Sequence, residues 1–83
     1  MTYNGWKNRA TWNVSLWIQN DESLYMQAVS YVDRAEVTGK RVTWGGFCEY
    51  AQLKDVRTPD GYKFDGKGLD VVALAQMLKE LAS

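Results

Sequence analysis

The sequence predicts a mostly α fold: a compact single domain spanning residues 1–83, built of three to four short helices, with one small β-hairpin admitted around residues 56–64. Three observations predict it. Two segments carry apolar residues at helical spacing, Leu24, Ala28, Tyr31, Val32, Ala35 and then Val71, Leu74, Ala75, Leu78, Leu81. Short polar side chains stand just before each, where an oxygen can take the free N–H groups of a first turn. Finally, 83 residues of which 46% are hydrophobic suit one domain with a real core, and not a disordered chain.

The first helix is expected from about Asn8 to Gln19, with Asn8 or Thr11 as its cap and Trp12 with Leu16 on its inward face. Alternation across Asn13 to Ile18 leaves a strand open there. The second helix is expected from Glu22 to Ala35, capped by Asn20 or Asp21 and stopped by Gly39. A third starts after Thr43 and runs to about Asp55, with Phe47, Tyr50 and Ala51 on one face. Its Gly45 and Gly46 weaken it by up to about 1 kcal/mol each. Thr58-Pro59-Asp60-Gly61 is a turn, because Pro presets φ and Gly accepts positive φ. Residues 56–58 and 62–64 pair across it as a short hairpin or remain a bare loop. The last helix runs from Val71 to Leu81, capped by Asp70, with Leu69 stapled onto Leu74 and Lys79 near its C-terminal end.

Charge and cysteine content exclude several classes. Ten basic and ten acidic residues cancel, which argues against a general duplex-DNA binder and against an acidic mimic of DNA. One cysteine, Cys48, forbids an intrachain disulfide, and no apolar run suits a membrane span or a signal peptide. The expectation is a cytoplasmic protein in a reducing compartment with no membrane association. Met1 and the lack of a visible tag point to a complete natural chain.

Catalysis has little to work with. There is no histidine, the commonest general base and metal ligand. Cys48 has no activating partner in a helical context, and one thiol is too few for zinc. Gly61 to Lys67 spells G-x-x-x-x-G-K, but Gly68 stands where a P-loop needs Ser or Thr, and Asp65 would repel phosphate. Asp60, Asp65 and Asp70 are five apart, which fails the alternate spacing of a calcium loop. They read as a turn residue, a loop residue and a cap. No catalytic residue, cofactor or metal is therefore expected.

The remaining signal is aromatic. Tyr3-Asn4-Gly5-Trp6, Asn8, Thr11-Trp12-Asn13-Val14, Leu16-Trp17-Ile18 and Asn20-Asp21 together resemble an uncharacterised family of short phage, plasmid and bacterial proteins with the pattern Y-N-G-W-x-N-x-x-T-W-N-V-x-L-W-I-x-N-D. The Thr58-Pro59-Asp60-Gly61 turn resembles part of it as well. The resemblance implies a mobile-element setting and no activity.

Trp, Tyr and Arg are the residues most enriched at interface hot spots. The expected partner-binding set is Trp6, Lys7, Arg9, Trp17, Tyr25, Arg41 and Trp44. Trp12 is expected in the core, and Trp6 and Trp17 part core, part surface. Asn13 is expected to cap or to bond to backbone. The function expected is a non-enzymatic protein-binding module, a phage or mobile-element protein that binds and modulates or inhibits a host or defence-system protein. The leftover apolar area also admits a homodimer. The alternative is a weak single-stranded nucleic-acid binder, holding bases on Trp6, Trp12 and Trp44 beside Lys7, Arg9, Lys40 and Arg41.

Overall fold

Four helices follow one another: α1 (Arg9–Asn20), α2 (Glu22–Thr38), α3 (Trp44–Tyr50) and α4 (Val71–Leu81), in a computed structural model that describes residues 3–83. Each begins on the cap that its sequence offers. Asn8, Asp21, Thr43 and Asp70 accept from the backbone N–H of Thr11, Leu24, Gly46 and Ala73. Asp21 also donates its own N–H to the Trp17 carbonyl at 3.0 Å, so one residue ends α1 and starts α2.

Helix ends depart from expectation in two places, for one reason. α2 continues to Thr38, because the chain stops only where Gly39 turns left-handed at φ 73°; Lys40 N–H then closes back to Ala35 O at 2.8 Å. α3 stops at Tyr50, well short of Asp55. Gln52 takes the left-handed conformation at φ 57°, and Leu53 N–H bonds to Cys48 O at 2.8 Å. This is the same six-to-one closure without a glycine. It swings Leu53 into the core beside Cys48, and burial of that leucine offsets the backbone cost at Gln52.

The core joins Val14 and Ile18 of α1, Ala28 and Val32 of α2, Trp44, Phe47 and Cys48 of α3, and Leu74, Met77 and Leu78 of α4. Leu53, Phe64 and Leu69 close it from the long α3–α4 connection. α2 and α4 each pack on all the other helices, whereas α1 and α3 do not touch. The expected hairpin is reduced to one isolated antiparallel bridge, Arg57 to Lys63, around the Thr58–Gly61 turn. A second such bridge joins Tyr3 to Trp6 across Asn4 and Gly5, both at positive φ (50° and 87°). That is an Asn-Gly hairpin turn, which the dipeptide marks on its own because both residues accept positive φ.

The inward face of α1 is rotated from the one expected. Thr11, Val14, Ser15 and Ile18 are buried, and Trp12 and Leu16 are half-buried at its flank. Small hydroxyl side chains allow α1 to approach its neighbours closely, and their oxygens are satisfied locally. Ser15 Oγ donates to Trp12 O at 2.7 Å and Thr11 Oγ1 to Asn8 Oδ1 at 2.7 Å. Trp12 is thus not a core residue; its ring packs on Tyr3, with centroids 4.8 Å apart.

Candidate partner-binding surface

Most of the aromatic motif is engaged within the molecule. Asn13 is buried, and its side chain bridges two groups of the Thr58–Gly61 turn. Its Nδ2 donates to Asp60 Oδ2 at 2.8 Å, and its Oδ1 accepts from Thr58 Oγ1 at 2.7 Å. Its role is structural, as expected, but its partners are side chains and not backbone. Trp17 donates its indole N–H to the same Asp60 oxygen at 2.9 Å. These bonds from Asn13 and then Trp17 hold the Asp60 carboxyl below its ordinary range. A second clasp lies one turn earlier. Asn8 Nδ2 donates to Gly68 O at 2.8 Å, and Asp70 N–H donates to Thr11 Oγ1 at 3.1 Å. α1 is therefore a spine to which the middle and the C-terminal end of the long connection are pinned.

The seven expected binding residues do not form one surface. Trp6 and Trp17 are half-buried against the core. Lys7 and Arg9 are exposed, and the Arg9 guanidinium stands 6.0 Å from the Tyr3 ring centroid. Tyr25 lies on the outward side of α2 beside Met26, which is 62% exposed. Trp44 is corrected: it is only 3% exposed, and its indole N–H donates to Phe64 O at 2.7 Å. The ring fills the space between α3 and the connection, because a buried indole contributes more than an exposed one and finds its N–H partner there. Its small exposed edge lines a hollow that it shares with Arg41 and Val42. Arg9 and Trp17 are on α1, Trp44 opens α3, and those helices are not in contact.

Arg41 is exposed, and the structure sets it between two hollows. One, of about 580 Å³, lies between α2 and α3; Tyr31, Tyr50, Arg34, Lys40 and Arg41 line it, with Glu49 as its one acid. The other, of about 470 Å³, lies between the Arg41–Gly45 segment and α4; Val42, Val71, Val72 and Ala75 make it apolar, with Arg41 and Lys79 as its charges. Ion pairs among the described residues join Lys63 to Asp55 and Asp65, and none involves Arg34, Lys40, Arg41 or Lys79. Four cations against one acid thus gather in a chain of zero net charge. Lys40 and Arg41 are legible in the sequence as candidate contact residues; Arg34, Lys79 and the valines are not. The only hint of the valines is Val71-Val72 at a helix start, since adjacent residues lie about 100° apart and one of them must turn away from the core.

The tyrosines of the first hollow are already committed. The Tyr31 ring packs on Phe47 and Tyr50, with centroids at 5.8 and 5.6 Å, and its hydroxyl donates to Thr43 O and accepts from Thr43 N–H, both at 3.2 Å. Tyr50 shares a 2.7 Å hydrogen bond with Ser30. Cys48 is buried, and burial followed by the nearby Asp65 charge pushes its thiol up to about 12, far from the thiolate a nucleophile requires. Among the described residues no three His, Cys, Asp or Glu side chains are placed to hold a metal ion, and no helix is long and apolar enough to cross a membrane.

No curated protein and no solved structure matches the chain. The model of a family of unknown function, DUF7249, matches residues 1–83, and the chain belongs to that family.

Proposed function

We propose that this chain is a non-enzymatic protein-binding domain, a cytoplasmic phage or mobile-element protein that modulates or inhibits a host or defence-system protein by covering one of its surfaces. The observation that carries the reading is the gathering of Arg34, Lys40, Arg41 and Lys79, free of ion pairs, around two neighbouring hollows, the second of them walled by valines and an alanine. Exposed cations beside exposed valines suit a complementary protein surface, where charge sets register and apolar contact supplies affinity. Recognition centres on Arg41 in preference to Trp6 and Trp17, whose rings support the fold; the mostly buried Trp44 adds only an edge to the second hollow. Tyr25, Lys7 and Arg9 remain exposed and outside that surface.

Single-stranded nucleic acid fits less well. Stacking needs open aromatic faces, and the tyrosines beside the cations are packed on their neighbours. The test is affinity capture from a bacterial lysate, with and without nuclease, read by mass spectrometry. One protein retained stoichiometrically after nuclease, and lost with Arg41→Glu, supports the reading. Partners that vanish with nuclease overturn it in favour of nucleic acid.

A further inference from the structure

The hollow between the Arg41–Gly45 segment and α4 has a defined polarity. Val72 is 78% exposed and Val71 50% exposed in the first turn of α4, so the fold leaves most of the one and half of the other uncovered. Each leaves apolar surface in water whose covering would favour association. Val72, Ala75 and Lys79 follow one another at three- and four-residue spacing, so they form one wall. Val42 and Arg41 form the other. The wall from Val72 to Lys79 rises about 10 Å, the length of three residues of extended chain. A cation thus stands on either wall of an apolar trough one short peptide long, and neither cation is neutralised within the molecule.

Resting on the protein-binding reading above, we infer that this trough takes an acidic segment of the partner, with an apolar side chain seated on Val42, Val72 and Ala75 and carboxylates within about three residues of it meeting Arg41 and Lys79. Charge complementarity selects the sign of the partner. The valines require the apolar anchor, since carboxylates alone would leave them wet.

The experiment is a ¹⁵N-amide NMR titration of the full chain with the blocked hexapeptide Asp-Asp-Leu-Val-Asp-Asp, its counterpart with lysine in place of every aspartate, and a ten-nucleotide oligothymidylate. Shifts confined to residues 41–45 and 71–79, produced by the acidic peptide alone and weakened about tenfold by Lys79→Glu, are expected. Val72→Glu, at an exposed position that leaves the core intact, must abolish them. Equal shifts with the lysine peptide or the oligonucleotide, shifts clustered elsewhere, or none with millimolar acidic peptide would overturn the inference. Lysate capture separates the two levels. A host protein retained equally by the wild type and by Val72→Glu and Lys79→Glu leaves the protein-binding reading standing and removes the trough from it; no protein retained by the wild type removes the reading itself.

Discussion

Asn13 and Asp60 stand 47 residues apart in the chain and meet at 2.8 Å, side chain to side chain, at the edge of the core. Asn13 holds Thr58 with its other end, so one buried amide fixes the turn between α3 and α4 onto α1. Asn13→Ala leaves the hydroxyl of Thr58, a residue only 3% exposed, without its acceptor. A stability loss of about 1–3 kcal/mol is expected in urea unfolding. Asn13→Asp should be worse at pH 7, because it sets a second carboxylate against Asp60. A loss no larger than that of an exposed control such as Gln19→Ala would deny Asn13 this role.

Acid stability follows from the same contact. Asp60 is held below its ordinary value of 3.8 by Asn13 and Trp17, and Asp55 by Lys63. A depressed folded-state value means that the stabilisation is present above the unfolded value and is lost as pH falls through the folded one. With no histidine in the chain, the urea midpoint should stay level from about pH 5 to 8 and then fall below about pH 4. Asp60→Asn keeps an oxygen that can accept both bonds but has no charge to lose, so its acid limb should be shallower. An unchanged limb would assign the acid sensitivity elsewhere.

Two adjacent glycines should respond with opposite signs. A Cβ on Gly45 meets nothing within 4 Å, so Gly45→Ala should stabilise α3 by up to about 1 kcal/mol. A Cβ on Gly46 would collide with the Tyr31 hydroxyl and lie 2.9 Å from Thr43 Oγ1. Tyr31 cannot yield without releasing Thr43, so Gly46→Ala should cost about 1–3 kcal/mol despite the better helix former. Removing the hydroxyl with Tyr31→Phe should recover part of that loss, as thermal melts of the single and double variants would show.

Cys48 should be silent while the protein is folded. The residue is 4% exposed, and its thiol is pushed up to about 12. Against an aromatic disulfide reagent at pH 8, native protein should react many times more slowly than urea-unfolded protein. A rapid native reaction would place the thiol in a more open site than the one between α3 and Phe64.

The local rules were legible in the sequence. Asn8, Asp21, Thr43 and Asp70 were all readable as caps, because a cap joins an oxygen to an N–H three residues away and needs nothing distant. The turn at Thr58–Gly61 and the stop at Gly39 were readable because proline and glycine restrict or widen φ on their own. What each helix would bury was not. Trp12 and Val14 are both apolar, and only the approach of α2 and α4 chooses the smaller side chain for the interior. Gln52 turns left-handed because Leu53 gains burial; the turn carries no mark of its own at the level of sequence. The hairpin is one bridge long: Thr58 N–H to Tyr62 O and Phe64 N–H to Val56 O close it, and at its turn Tyr62 N–H goes to the Thr58 hydroxyl, with Asn13 and Trp17 holding the turn through side chains. The candidate surface shared that dependence. Arg34, Arg41 and Lys79 lie on separate elements, and only the packing of α2, α3 and α4 brings them around two hollows. Composition determined a small, mostly helical domain with little catalytic equipment; contacts between residues distant in the chain decided which of its aromatics support the fold and where its free charges gather.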